Sequence, residues 1–249
     1  MKYILGIDVG GTKIASGLVD EDLKVTDIRT MPTSQTDLVT QLTDLIGSYD
    51  KFEAIGVGMP GQVLKDGTVT RLPNVENFEP VNLKRVLQDK FKFEVNVIND
   101  AKAFALAEAT VGAGVDSDAV AGAILGTGIG VGLVNQKRVY FGKDGIAGEL
   151  EHIVLLDGKM LRDHRHQAGQ FETAPDARKY LKTLLDMIIL SWNPDIIVLG
   201  GSWSKLSGME EMANQLTMEV GGYNNQTPVK VSELEHAGII GATLSVLNL

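Results

Sequence analysis

Twice along this chain an apolar strand runs into a glycine-rich turn and out into a second strand. The first instance joins residues 3–9 to residues 13–19 through Gly10-Gly11; the second joins 120–125 to 131–135 through Gly126-Thr127-Gly128-Ile129-Gly130. Connections this short force antiparallel neighbours. A third strand follows each pair, at 25–30 and at 138–141. After each three-strand meander, helices and strands alternate. The amphipathic spacing predicts helices over 37–49, with Thr36 as N-cap, over 80–91 and over 101–111 in the first half. In the second half it predicts helices over 176–192 and 237–247. Between these a third helix has Ser207 and Glu210 in capping-box spacing. The polar segment 157–171 reads as loop.

The repeated order predicts two α/β lobes built on one plan, and small ligands bind in clefts between lobes. A length of 249 residues suits one large or two small domains. The expected division gives residues 1–113 plus the C-terminal helix 237–249 to the first lobe, and 114–236 to the second. Zero cysteines exclude disulfides, thiolate metal sites and cysteine nucleophiles. A net charge of −9 without any basic cluster argues against nucleic acid as a partner. No window approaches the ~20 apolar residues of a membrane span, and nothing at the start reads as a targeting signal. The expectation is a cytoplasmic protein that binds neither nucleic acid nor membrane.

Glycine turns bring backbone N–H groups close to an anion, and 28 glycines make such turns a theme here. In Asp8-Val9-Gly10-Gly11-Thr12-Lys13 the turn is flanked by a hydroxyl, a cation and a carboxylate suited to a hydrated Mg²⁺. A plain Gly-Gly hairpin explains the same residues. Gly126-Thr127-Gly128-Ile129-Gly130 is its positional counterpart, and Gly200-Gly201 is a third glycine contact, after a strand and before a helix. The run from Gly56 to Gly61 fits G-x-G-x-x-G but opens no helix, so it is not a dinucleotide fingerprint.

Asn99-Asp100 ends an apolar strand where a helix begins. A carboxylate at that edge can take a proton from a substrate hydroxyl; Asp is equally a favoured N-cap. Gly148-Glu149-Leu150-Glu151-His152 offers two carboxylates and an imidazole, the mixed donors and acceptors that a polyol needs, although a solvated acidic turn would look the same. The histidines at 152, 164 and 166 have no specific metal-ligand spacing.

Together and in this order, these segments resemble the ROK family of sugar kinases, within the actin-like ATPase (ribonuclease H-like) superfamily. Gly58-Met59-Pro60-Gly61, Asn193-Pro194-Asp195 and Ala237-Gly238-Ile239-Ile240-Gly241-Ala242 add to the likeness. The resemblance implies a two-lobed fold with a cleft and a hexose kinase of glucokinase type. It implies Asp100 as general base, with Gly61, Asn74, Asn99, Glu149, His152 and Glu172 around the sugar. It also implies that Asp8, Gly10, Gly11, Thr12, Lys13, Gly126, Thr127, Gly128, Gly200 and Gly201 serve the donor, with Mg²⁺ held by Asp8 through water. The implied partners are a small sugar and a phosphoryl donor, with a homodimer as the assembly.

Two departures stand out. The family's zinc motif Cys-x-Cys-Gly-x-x-Gly-Cys is replaced by His164-Arg165-His166-Gln167-Ala168-Gly169-Gln170, so structural zinc is not expected. Glu151 stands where the family pattern Gly-Glu-x-Gly-His has glycine. The compact, zinc-free pattern, with His236-Ala237-Gly238-Ile239 near its end, is similar to polyphosphate-dependent glucokinases, so the donor is expected to be ATP or polyphosphate. The alternative is a degenerate sugar-binding relative, either a pseudokinase or a regulator without a DNA-binding domain. ROK repressors carry such a domain before a strand like the one that begins here at Tyr3.

Overall fold

The computed structural model describes residues 2–72, 78–126, 128–168, 173–221, 223 and 226–247. Contacts divide the chain into two compact units. The first comprises Met1–Ala107, Phe141–Ala147 and Glu235–Leu249; the second comprises Glu108–Tyr140 and Gly148–Leu234.

The first unit opens with the meander β1 (Ile4–Val9), β2 (Lys13–Val19) and β3 (Val25–Pro32), followed by α1 (Leu38–Gly47) and β4 (Ala54–Met59). Next come β5 (Gln62–Val63), β6 (Thr68–Arg71), β7 (Val81–Asn82), α2 (Leu83–Phe91), β8 (Glu94–Asn99) and α3 (Asp100–Val111). The main sheet has the order β3-β2-β1-β4-β8; β5, β6 and β7 form a small antiparallel sheet. Strands β1, β4 and β8 are parallel, so Asp8, Gly58 and Asn99 lie near one sheet edge. Leu5, Ile7, Val9, Ile55, Val57 and Met59 alternate or run inward to meet Leu42, Leu45 and Ile46 of α1.

The second unit repeats the scheme. Its meander is β9 (Ala119–Leu125), β10 (Ile129–Asn135) and β11 (Arg138–Val139). There follow α4 (Leu161–Ala168), α5 (Ala174–Trp192), β12 (Ile196–Gly200), α6 (Met209–Thr217) and β13 (Val229–Val231). The sheet order β11-β10-β9-β12-β13 matches that of the first unit position for position, antiparallel in the meander and parallel beyond it. Leu181, Leu184, Leu185 and Ile188 of α5 pack on the sheet, with Tyr180 edge-on to Trp203 at 6.0 Å.

The last helix, α7 (Ala237–Leu247), belongs to the first unit. It is apolar on all sides and buried over nearly its whole length, as a helix inside a core must be. Its closeness to the sheet depends on Gly56: a Cβ there would lie 2.0 Å from the Ala242 carbonyl oxygen. The glycine that seemed to belong to a G-x-G-x-x-G pattern is a packing glycine.

Several local expectations are corrected. The cap of α1 is Asp37, not Thr36; its side chain accepts the Thr40 N–H at 3.2 Å. The helix expected from residue 80 begins at Leu83, because Val81 pairs with Val69 and Asn82 serves as N-cap through the Arg85 N–H at 2.8 Å. The expected loop 157–171 contains α4. Leu161 anchors that helix in the core, and Asp163 reaches back to the Met160 N–H at 2.9 Å. A single apolar anchor in a polar segment leaves little periodic signal. The Ser207/Glu210 capping box does not form. Gly208 precedes α6, and Glu210 instead accepts the Val231 N–H at 2.8 Å, tying α6 to β13. That long-range hydrogen bond holds the Glu210 carboxyl below its usual range.

Candidate active site

In the first unit, parallel strands deliver three polar groups to neighbouring positions. Asn99 and Asp100 sit at the junction of β8 and α3. Asn99 Oδ1 accepts the Lys102 N–H at 3.1 Å, the side-chain bond that caps a helix. Asn99 Nδ2 donates to the Gly61 carbonyl at 3.0 Å and to Asp100 Oδ1 at 3.0 Å. Asp100 Oδ1 also accepts the Ala101 N–H at 2.8 Å. The amide is the cap and the bridge to Gly61; the carboxylate is oriented by it.

Asp8, near the end of β1, lies against the first turn of α7. A Cβ on Gly238 would come within 2.3 Å of its carboxyl, so only glycine leaves it room. Burial raises the Asp8 carboxyl to about 6, against the opposing pull of Lys13.

The first glycine turn is held from one side. Its Gly10 N–H donates to the Lys13 carbonyl at 2.9 Å. Thr33 Oγ1 donates to the Gly10 carbonyl at 2.8 Å, and Gln35 Nε2 to the Gly11 carbonyl at 3.0 Å. In a trans peptide N–H and C=O point oppositely, so the Gly11 and Thr12 N–H groups face away from Thr33 and Gln35. Gly11, Thr12 and Lys13 are exposed. Sequence reasoning missed Thr33 and Gln35. Their only signal is polarity just after β3, common to many loops.

In the second unit, Gly201 adopts φ +85°, and a Cβ there would lie 2.2 Å from the Leu125 carbonyl oxygen. The turn after β12 is thereby seated on the end of β9; a Cβ on Gly126 would lie 3.7 Å from Ser202 Oγ. The Gly126 N–H donates to the Gly128 carbonyl at 3.0 Å, closing the β9–β10 hairpin. Gly148, at φ +90°, packs on β10, where a Cβ would lie 2.0 Å from the Val131 carbonyl oxygen. It leads into a short 3₁₀ turn, Leu150–His152. There His152 Nε2 lies 3.8 Å from Glu149 Oε2 and 3.7 Å from Glu151 Oε1. Glu151 Oε2 accepts the Ile129 N–H of the hairpin at 2.9 Å. The glycine turn and the acidic turn, separate in sequence, are one cluster in space.

The structure thus groups Gly61, Asn99 and Asp100, and separately Gly126 with the Gly200-Gly201 turn, and Gly128 with Glu151 and His152. The expected residues Asn74, Thr127 and Glu172 lie outside the described residues. His164 is engaged locally, its Nε2 2.9 Å from Asp157 Oδ2. Among the described residues no group of three or more metal-ligating side chains is present. A lone carboxylate such as Asp8 fits a cation held through water and donor oxygens rather than a protein cage.

A family model described as the ROK family matches residues 4–169. Over 157 residues the chain is 37% identical to N-acetyl-D-glucosamine kinase of Vibrio vulnificus strain YJ016, covering 60% of this chain and 52% of that protein. Over 160 residues it is 34% identical to glucokinase of Thermotoga maritima, covering 61% and 50%. The chain spans about half the length of the curated relatives it matches. Among solved structures, the ROK hexokinase from Thermus thermophilus superposes with a TM-score of 0.76 at 26% identity, covering 98% of this chain and 97% of that one. The fold is therefore the two-lobed actin-like α/β fold of those kinases. With the family model matched over most of its length, the chain belongs to the ROK family.

Proposed function

We propose that this chain is a hexose kinase, transferring the terminal phosphoryl group of ATP or polyphosphate to a sugar hydroxyl. Glucose, phosphorylated at its 6-hydroxyl, is the first candidate sugar. The observation that carries this reading is the division of labour after β8. Asn99 supplies the cap bond to Lys102, while the Asp100 carboxylate beside it is oriented by Asn99 and the Ala101 N–H.

In the reaction, the sugar hydroxyl oxygen attacks the terminal phosphorus of the donor. A new P–O bond forms, the donor's bridging P–O bond breaks, and the hydroxyl proton passes to the Asp100 carboxylate. The leaving group is ADP or a shortened polyphosphate. Gly61, Asn74, Asn99, Glu149, His152 and Glu172 are assigned to the sugar hydroxyls. The amides of Gly11 and Thr12, with Lys13, are assigned to donor phosphate, as are the Gly126–Gly128 hairpin and Gly200-Gly201. These assignments come from the family resemblance and from the outward-facing turn amides. Mg²⁺ bound near Asp8 would shield phosphate charge; Asp8, raised to about 6 by burial, gains most from a nearby cation.

The test is a coupled assay on the purified chain with glucose and with N-acetylglucosamine, each with ATP and with polyphosphate. Turnover of glucose is expected. Turnover of N-acetylglucosamine alone would move the sugar assignment, and no turnover of any hexose with either donor would end the kinase reading.

A further inference from the structure

The β9–β10 hairpin already carries an anion of its own. Glu151 Oε2 accepts the Ile129 N–H at 2.9 Å, and a Cβ on Gly128 would lie 3.3 Å from that same oxygen. Glu151 takes no left-handed backbone conformation, so a residue larger than glycine is accommodated in the 3₁₀ turn without strain. Its side chain is 21% exposed, and its other oxygen lies 3.7 Å from His152 Nε2. A carboxylate bound to the turn competes with any second anion for the same amide. It can also leave: three rotatable bonds and the neighbouring imidazole give it another place to go.

We propose that Glu151 is a donor-selecting residue, a resident anion on the hairpin that incoming phosphate must displace. The inference rests on the reading of this chain as a phosphotransferase. Removing the charge should tighten donor binding, most of all for linear polyphosphate, in which every phosphoryl unit is anionic.

The experiment compares the wild type with Glu151→Gln and Glu151→Gly, both checked by circular dichroism and melting temperature. Calorimetry measures binding of a non-hydrolysable ATP analogue with Mg²⁺, and of linear polyphosphate with Mg²⁺. Steady-state assays give KM for donor and for sugar. Both variants should bind both donors roughly tenfold more tightly, with the larger gain for polyphosphate. Donor affinity unchanged within twofold, or weakened, would overturn the proposal, as would failure of all three proteins to bind either probe. Glu151→Gln decides if Glu151→Gly does not fold. If no protein turns over a hexose but the variants bind the probes more tightly, the kinase reading fails while the role of Glu151 stands.

Discussion

Asn99 and Asp100 are adjacent in sequence and proposed for different duties, and substitution tests the proposal. Asp100→Asn should lower the turnover number for hexose phosphorylation by about 10²–10⁴-fold, the range of a lost general base. Its melting temperature should stay near wild type, because the cap bond to Lys102 comes from Asn99. Asn99→Ala should instead lose about 1 kcal/mol of stability, the usual worth of a cap, measured by urea unfolding. If Asp100→Asn loses stability and keeps its rate, Asp100 is structural. Asp8 is the second residue whose state carries a consequence. Its folded pKa is raised to about 6 from an ordinary 3.8, so between those values the folded protein binds more proton than the unfolded one. Stability from this group is therefore full below about pH 4 and is lost as pH rises through 6. Asp8→Asn should remove that part of the pH dependence and raise the melting temperature at pH 7.5. It should also lower kinase turnover, since the ionised carboxylate is the form assigned to the cation.

Elements meet closely where α7 lies on β4. With 2.0 Å between the Ala242 carbonyl oxygen and a Cβ at position 56, Gly56→Ala forces helix and strand apart. Overpacking of this kind costs about 3 kcal/mol, readable as a lower denaturant midpoint at an unchanged slope. Other elements show why some of the fold was legible and some was not. α1, α3, α5 and α7 announce themselves by long apolar or alanine-rich runs, and β1, β4, β8 and β12 by short apolar runs ending in Gly or Asn. The small strand β7 and the helix α4 do not. Val81-Asn82 is a strand only because Thr68 and Val69 lie beside it. Among its described side chains α4 has one core anchor, Leu161, in a polar stretch. The Ser207/Glu210 pattern misled because Glu210 finds a partner twenty-one residues away, on β13. A local motif predicts a local bond only when nothing distant competes for the same carboxylate.

At the scale of the whole molecule, each unit has its own apolar core, one on each five-stranded sheet. Asn99, Asp100, Glu149 and His152 are among the residues proposed to hold the sugar. Sugar at about 100 times its Kd should therefore stabilise the folded chain by about 2.7 kcal/mol in calorimetry, and Asp100→Asn should retain most of that gain. No shift with any hexose would count against these residues as a sugar site. The sequence by itself determined the α/β class, the doubled meander, the glycine turns and the Asn99-Asp100 junction. Periodicity and turn chemistry act between near neighbours, and near neighbours are what a sequence displays. Only the tertiary structure decided that the Asn99 amide bridges to the Gly61 carbonyl, that Gly56 serves packing against α7, and that burial against that helix raises the Asp8 carboxyl. It alone set Glu151 on the amide of Ile129. Each of those outcomes depends on which atoms distant segments place within a few ångströms, and spacing along the chain does not encode that distance.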